Sequence, residues 1–215
     1  MEAEPAAARE LERRGIPRVP AVTVGDRATH GWNPRALAEL VGVPYAEPDR
    51  LAPPELAARL DRVLAGAQRA MRQVSDGHLE MKTPDRDRTV RQLGYHLFRL
   101  SLAYRDAMET GQLPEAWIAE LPPPDLRDGV AIARYGETVR ERLGEWFRGP
   151  APCEGVVHTY YGPQSAHELL ERTTWHAAQH LRQLYALLGR MGVTPESPLS
   201  DADFEGLPLP KELWT

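Results

Sequence analysis

A mainly α fold, a four-helix bundle with a small N-terminal α/β annex, is predicted by three features of the sequence. From Pro53 onward, four long segments place apolar residues three or four positions apart, the spacing that gives each helix one apolar face. Fifteen of the 20 prolines cluster in 44–54, 114–124 and 150–163 and again from 195 onward, before, between and after those segments, where helices must stop. Residues 1–48 instead contain a β-branched run interrupted by a Gly-Asp turn pair, which predicts a hairpin.

In chain order, a short helix is expected over Ala6 to Arg14. The run Val19 to Val24, the turn Gly25-Asp26 and a return strand Arg27 to His30 follow. Asn33-Pro34 supplies a cap and a proline at the first helical position. Leu37, Leu40 and Val41 give the next helix its stripe before Gly42. This helix, hairpin, helix unit, residues 1–48, is too short to bury a sheet by itself.

Residues 49–195 form the bundle. Its first helix presents Leu56, Leu60, Val63, Leu64, Ala67, Met71 and Val74; the second Val90, Leu93, Leu97, Leu100 and Tyr104. The third presents Ile132, Tyr135, Val139, Leu143 and Trp146, and the fourth Leu169, Leu170, Ala177, Leu181, Leu184 and Leu188. The connection Ser75 to Arg88 is compact and predicts that the first two helices are antiparallel neighbours. Thr110 to Asp128 is long enough to run the length of the bundle and lets the second and third helices run parallel. Residues 196–215 lack a helical period and are expected to form an extended tail anchored by Phe204 and Trp214.

Composition narrows the function classes. With 42% hydrophobic and 27% charged residues, 215 residues suffice for one core plus an annex. No apolar stretch approaches the roughly 18–20 residues that a bilayer requires, and the acidic MEAEPAAAREL is unlike a secretory signal, so neither a membrane partner nor export is expected. The formal charge of −5, with no basic block, argues against a nucleic-acid partner. Cys153 is the only cysteine, which excludes an intramolecular disulfide, a CxxC pair and a cysteine-rich zinc site; a reducing cytoplasm is the expected compartment.

Three of the seven histidines fall on apolar stripes: His96 on the second helix, His176 and His180 on the fourth. Residues four apart stack on one helix face, so His176 and His180 aim two imidazoles at a common point, and His96 supplies a third from a facing helix. A lone histidine on such a face is more often a hydrogen-bonded core residue. An inward i, i+4 pair, however, costs desolvation that an ion offsets. Three imidazoles with an open position are the pattern of a catalytic metal, and this donor set accommodates Zn, Ni, Fe(II) or Mn(II). His30, His78, His158 and His167 fall in turns or at helix ends, where solvated or capping roles are expected. Ser165 is placed to cap the fourth helix.

TVRQLGYHLFRL, followed after the third helix by HELLERTTWHAAQHLRQLYALLGRMGV, resembles the DinB family, including its YfiT-like metalloenzymes, over roughly residues 50–192. The resemblance implies an up-down-down-up bundle in which His96, His176 and His180 bind a divalent metal, Zn or Ni first, with Fe or Mn as alternatives. It also implies a transferase or isomerase that uses a low-molecular-weight thiol activated near the metal, acting on a small-molecule electrophile. Tyr160 and Tyr161, before the fourth helix, are placed to donate hydrogen bonds over such a site, although packing is the commoner role of a loop tyrosine pair. RGIPRVPAVTVGDRATHGWNPRALAELVG resembles the C-terminal half of a glutaredoxin, a truncated thioredoxin-like module. There Pro20 would be the family's cis proline, and Asn33 the cap of an anion-binding helix end that serves glutathione. The first strand, first helix and CxxC or CxxS site of that family are absent, so the resemblance does not imply dithiol chemistry. The second function expected is a non-catalytic metal- or ligand-binding bundle that forms a homodimer through the annex.

Overall fold

A computed structural model describes residues 5–16, 21–30, 34–46, 49–84, 86–150 and 152–214. The chain divides into two units, Met1–Asp49 with Thr159–Pro163, and Arg50–His158 with Gln164–Thr215. In the first unit, α1 (Pro5–Arg13) precedes the antiparallel pair β1 (Ala21–Val24) and β2 (Arg27–His30), with Ala21 opposite His30 and Val24 opposite Arg27. Gly25 has φ 59°, a conformation suited to a two-residue hairpin turn and open to glycine without strain. α2 (Pro34–Val41) buries Ala38 and Leu40. This is the helix, hairpin, helix order expected from the sequence; Pro20 and Asn33 lie outside the described residues.

The second unit is built on α3 (Pro53–Gln73), α5 (Val90–Thr110), α7 (Gly129–Phe147) and α8 (Ala166–Arg190), with the one-turn helix α4 (Asp76–Leu79) between the first two. Each long helix buries the stripe read from its spacing: Leu56, Leu60, Leu93, Leu97, Ile132, Leu169 and Leu181 are all within 2% of complete burial. Their starts are chemically marked. Two prolines open α3, and Asp128 Oδ1 accepts from Ala131 N at 2.7 Å to cap α7. Thr89 with Gln92, and Ser165 with Glu168, form capping boxes at α5 and α8.

Residue pairs along the seams give the helix directions. On α3 and α7, Gln68 meets Ala133 and Asp61 meets Arg140, so these two are antiparallel. Arg50 with Glu168, and Gly66 with Leu181, make α3 and α8 parallel. Tyr95 with Tyr135, and Tyr104 with Phe147, make α5 and α7 parallel. The bundle is therefore up-down-down-up. The cyclic order is α3, α7, α5, α8, and one expectation fails here: α3 and α5 are antiparallel but diagonal, not neighbours. A short connection dictates direction, whereas the choice of neighbour is set by the faces left apolar after the crossover.

The crossover, read as a plain connection, contains β3 (Gln112–Leu113) and α6 (Glu115–Ile118). The segment before α8 forms β4 (Val156–Thr159) and β5 (Gly162–Ser165), which with β3 make a three-stranded sheet with β4 central. The C-terminal tail is not wholly extended either. Ser200 and Asp203 box a single turn, α9 (Asp201–Phe204), and Arg59 Nη1 donates to the carbonyls of Ala202 and Asp203.

Glycine permits the closest helix contact at the start of α7: a Cβ on Gly129 would collide with the Met71 carbonyl, a backbone atom that cannot swing aside. Gly129→Ala is expected to cost about 1–3 kcal/mol, the usual penalty of overpacking, as a lower urea midpoint with unchanged helicity. An unchanged midpoint would show that the α3–α7 contact is looser than described.

Candidate metal centre

The seam between α5 and α8 is where the histidines meet. The capping box at Ser165 sets the phase of a 25-residue helix from its first turn and so decides which face residues 176 and 180 occupy. The box at Thr89 does the same for α5, with His96 in its second turn. The ring centroids of His176 and His180 lie 4.7 Å apart, and His96 lies 5.6 and 5.0 Å from them. Among the described residues, one ligand nitrogen from each of the three lies within 4.8 Å of the others. Three nitrogens at about 2.1 Å from one tetrahedral ion would be about 3.4 Å apart, so side-chain shifts of about an ångström close the cluster around a cation.

His180 provides the test of fit. It is 6% exposed, its Nδ1 is hydrogen-bonded to Gln183 Oε1 at 2.8 Å, and its Nε2 is buried with no hydrogen-bond partner. A buried nitrogen left without a partner is costly, and a cation between the three rings would satisfy it. His96 and His176 are less enclosed. Trp175 stacks beside His176 at 5.6 Å, and the Arg172 guanidinium lies over Trp175 at 5.6 Å.

The crossover reaches the third ring. The Ile118 carbonyl lies near enough to His96 to favour its protonated form. Its position is held because Glu120 accepts from the Tyr95 hydroxyl and from Arg99 Nε, each at 2.7 Å, while Arg99 also meets Asp106 at 3.1 Å and lies over Trp117. Burial and the Glu120 carboxylate push the Tyr95 phenol far above its ordinary range, so it stays a donor.

Electrostatics keep the cluster neutral. Burial first, then the charge of Arg88 and more weakly Arg86, pulls His96 down to about 4 against the opposing effect of the Ile118 carbonyl. Burial and the neighbouring imidazoles hold His176 and His180 well below the usual histidine value. Neutral imidazole is the form that binds a metal.

No protein-family model matches the sequence, and no curated protein matches it. Solved structures do match in three dimensions, two of them as follows. YjoA from Bacillus subtilis, a DinB-like protein, superposes with a TM-score of 0.52 at 14% identity, over 65% of this chain and 92% of its own. YfiT from Bacillus subtilis, described as a probable metal-dependent hydrolase with an unusual four-helix bundle topology, gives 0.51 at 20% identity, over 71% and 96%. The chain is DinB-like in fold. The overlap covers the larger part of the chain, and no helix among the described residues is long and apolar enough to cross a membrane.

In this DinB-like chain two of the remaining histidines have side-chain hydrogen bonds of their own. His167 Nε2 is hydrogen-bonded to the Leu51 carbonyl at 2.9 Å, His78 Nδ1 pairs with Ser75 Oγ at 2.8 Å, and the His158 amide donates to Gly111. His30 ends β2 in the first unit. Tyr160 and Tyr161 occupy the tip of the β4–β5 hairpin, which belongs to the first unit, and their rings pack edge to face at 4.9 Å. Gln183 and Ile118 are the residues that sequence reasoning missed. Gln183 left one signal, a primary amide three positions after His180 on an apolar face; the Ile118 carbonyl left none.

The low histidine values fix the direction of one pH effect. Above about pH 6.5 the rings are neutral in folded and unfolded chains alike. Between 6.5 and about 4 the unfolded chain takes up protons that folded His96 refuses, so stability falls as pH falls. The metal-free protein is expected to lose thermal stability across this window, and His96→Gln to show a shallower decline. Equal slopes would contradict the buried, neutral assignment.

Proposed function

We propose that this DinB-like chain is a metal-dependent enzyme in which His96, His176 and His180 hold one divalent cation, Zn or Ni first and Fe or Mn as alternatives. The observation that supports it most is the buried, unpartnered Nε2 of His180 in a ring that shares one seam with two further imidazoles. A bound cation at this site would favour the deprotonated form of a neighbouring water or thiol, the nucleophilic form, near neutral pH. The three side chains would leave room in its coordination shell for water or a substrate sulfur.

The chain's own residues prepare that chemistry. His96, His176 and His180 present neutral nitrogens; Gln183 orients the His180 ring and the Ile118 carbonyl lies near His96; Trp175 walls one side of His176. Arg86, Arg88 and Arg172 lie near enough to disfavour protonation of His176, and the same positive potential favours an anionic nucleophile or substrate. A low-molecular-weight thiol, activated for transfer to or isomerisation of a small electrophile, fits this environment; hydrolysis, named for YfiT, fits it with water in the same role. The lone Cys153 is unsuited to act as the nucleophile itself, since burial raises its thiol above the ordinary value despite the hydrogen bond that its Sγ accepts from the Tyr104 hydroxyl at 3.6 Å.

A second reading, a non-catalytic binding bundle that dimerises through the annex, is favoured by one observation. Val22, Val24, Leu37, Val41 and Val43 are exposed within the first unit, an apolar surface suited to a second copy.

Purified protein is expected to hold about one metal per chain by elemental analysis, and His176→Ala to lose it. Conjugation of a model electrophile, screened with several low-molecular-weight thiols, and hydrolysis of model esters and amides are expected to reveal an activity that His96→Ala abolishes with helicity retained. Metal content equal in the two proteins would contradict the site, and one metal per chain with no turnover in either screen would favour the binding module.

A further inference from the structure

Gln179 and Gln183 are 5% and 3% exposed on α8, one position before His180 and three after it. A buried primary amide is costly unless its donors and its acceptor find partners. Both amides turn their NH2 groups to the backbone of the C-terminal segment. Gln179 Nε2 donates to the carbonyls of Glu212 at 3.1 Å and Leu213 at 2.7 Å, and Gln183 Nε2 donates to Leu213 at 2.9 Å. Arg182 Nη1 donates to the Pro210 carbonyl at 3.0 Å and to Gln179 Oε1 at 2.7 Å, and the Arg190 guanidinium lies over the Trp214 ring at 5.5 Å. One face of α8 thus grips residues 210–214 at four side chains.

This grip has a consequence for His180. A peptide carbonyl only accepts, so the Leu213 oxygen decides which way the Gln183 amide faces: NH2 toward Leu213, Oε1 toward the ring. Oε1 also only accepts, so His180 Nδ1 has to be the hydrogen-bearing nitrogen. In a neutral imidazole that leaves the lone pair on Nε2, the buried nitrogen that has no hydrogen-bond partner, in a ring whose centroid lies 5.0 Å from that of His96 and 4.7 Å from that of His176. We propose that the segment 210–214 is part of the metal site: acting through Gln183, it sets the tautomer and orientation of His180, so that metal binding and docking of this segment are coupled.

Gln183 is a positioning residue, not a ligand, and the inference rests on the reading of the three histidines as metal ligands. Such outer partners of a ligating histidine fix its ring and raise its basicity. Coupling is reciprocal: if the docked segment strengthens metal binding, bound metal must strengthen docking by the same factor. Lys211 makes docking measurable, because Lys82 and Lys211 are the only lysines in the chain and a lysine-specific protease cuts nowhere else.

The test uses the full chain with Zn²⁺ and Ni²⁺ as probes. Titration calorimetry is expected to show a loss of about 10–100-fold in metal affinity for Gln183→Leu, with the metal-free circular dichroism spectrum unchanged. A variant lacking residues 212–215 should lose affinity in the same direction, and combining the two changes should add little. Gln183→Glu, which keeps the acceptor for Nδ1–H but cannot donate to Leu213, should retain more affinity than Gln183→Leu while releasing the segment. Saturating Zn²⁺ should slow cleavage at Lys211 in the unaltered chain and not in Gln183→Leu. If the unaltered chain binds metal, while the substituted and shortened chains bind it equally and Lys211 is cut at the same rate with and without Zn²⁺, the coupling is wrong and the metal site stands. If the unaltered chain binds neither ion, both fall. Should Gln183→Leu fail to fold, the shortened chain and the Lys211 rates decide the matter.

Discussion

Three imidazoles held neutral on one helix seam are the constraint on which the rest of the bundle depends. Burial disfavours the charged ring, and each ring's neighbours would repel a second positive charge, so the cluster exists only while protons are kept off it. Neutral rings still need their remaining nitrogens satisfied and aimed. The Gln183 amide does this for His180, and the Ile118 carbonyl lies near His96. The two groups come from different places: a crossover between helices and a residue on the same helix that is itself gripped by the C-terminal segment.

Topology follows from the same demand. The crossover after α5 carries the chain back so that α7 runs parallel to α5, and on the way it lays α6 against α5. The residues that fasten this segment, Tyr95 and Arg99 to Glu120, flank His96 on its own helix. With α7 on one side of α5, α8 takes the other, and α3 is left on the diagonal. The α5–α8 seam is therefore opposite the α3–α7 seam. The latter holds a largely apolar cavity of about 190 Å³ lined by Ala57, Leu60, Leu64, Leu143 and Phe147, with the Asp61–Arg140 ion pair at its edge. The histidine seam and the cavity seam are thus separated by the shared core.

Much of this was legible in the sequence because it is written in side-chain periodicity. The four long helices, the hairpin at Gly25-Asp26, the parallel run of α5 and α7 and the three histidines all follow from spacing or connection length. What escaped has a common cause: it is made by the backbone or by very short elements. The β4–β5 hairpin holds Pro163 and only four residues per strand, and α6 is a single turn. The diagonal placement of α3 and α5 depends on which apolar faces meet, which no single helix reveals. The grip of α8 on residues 210–214 runs through peptide carbonyls, which leave no trace in residue identity, so only Gln179 and Gln183, amides among leucines, hinted at it.

The central claim is that the α5–α8 seam is a metal site, and the most direct measurement is an anomalous-difference map from crystals grown with Zn²⁺ or Ni²⁺ and recorded at the metal's absorption edge. One strong peak about 2.0–2.3 Å from a nitrogen of each of His96, His176 and His180, with Nε2 as the nitrogen of His180, is the expected result. A map without a peak on that seam, with His180 Nε2 instead hydrogen-bonded to water or to another side chain, would contradict it.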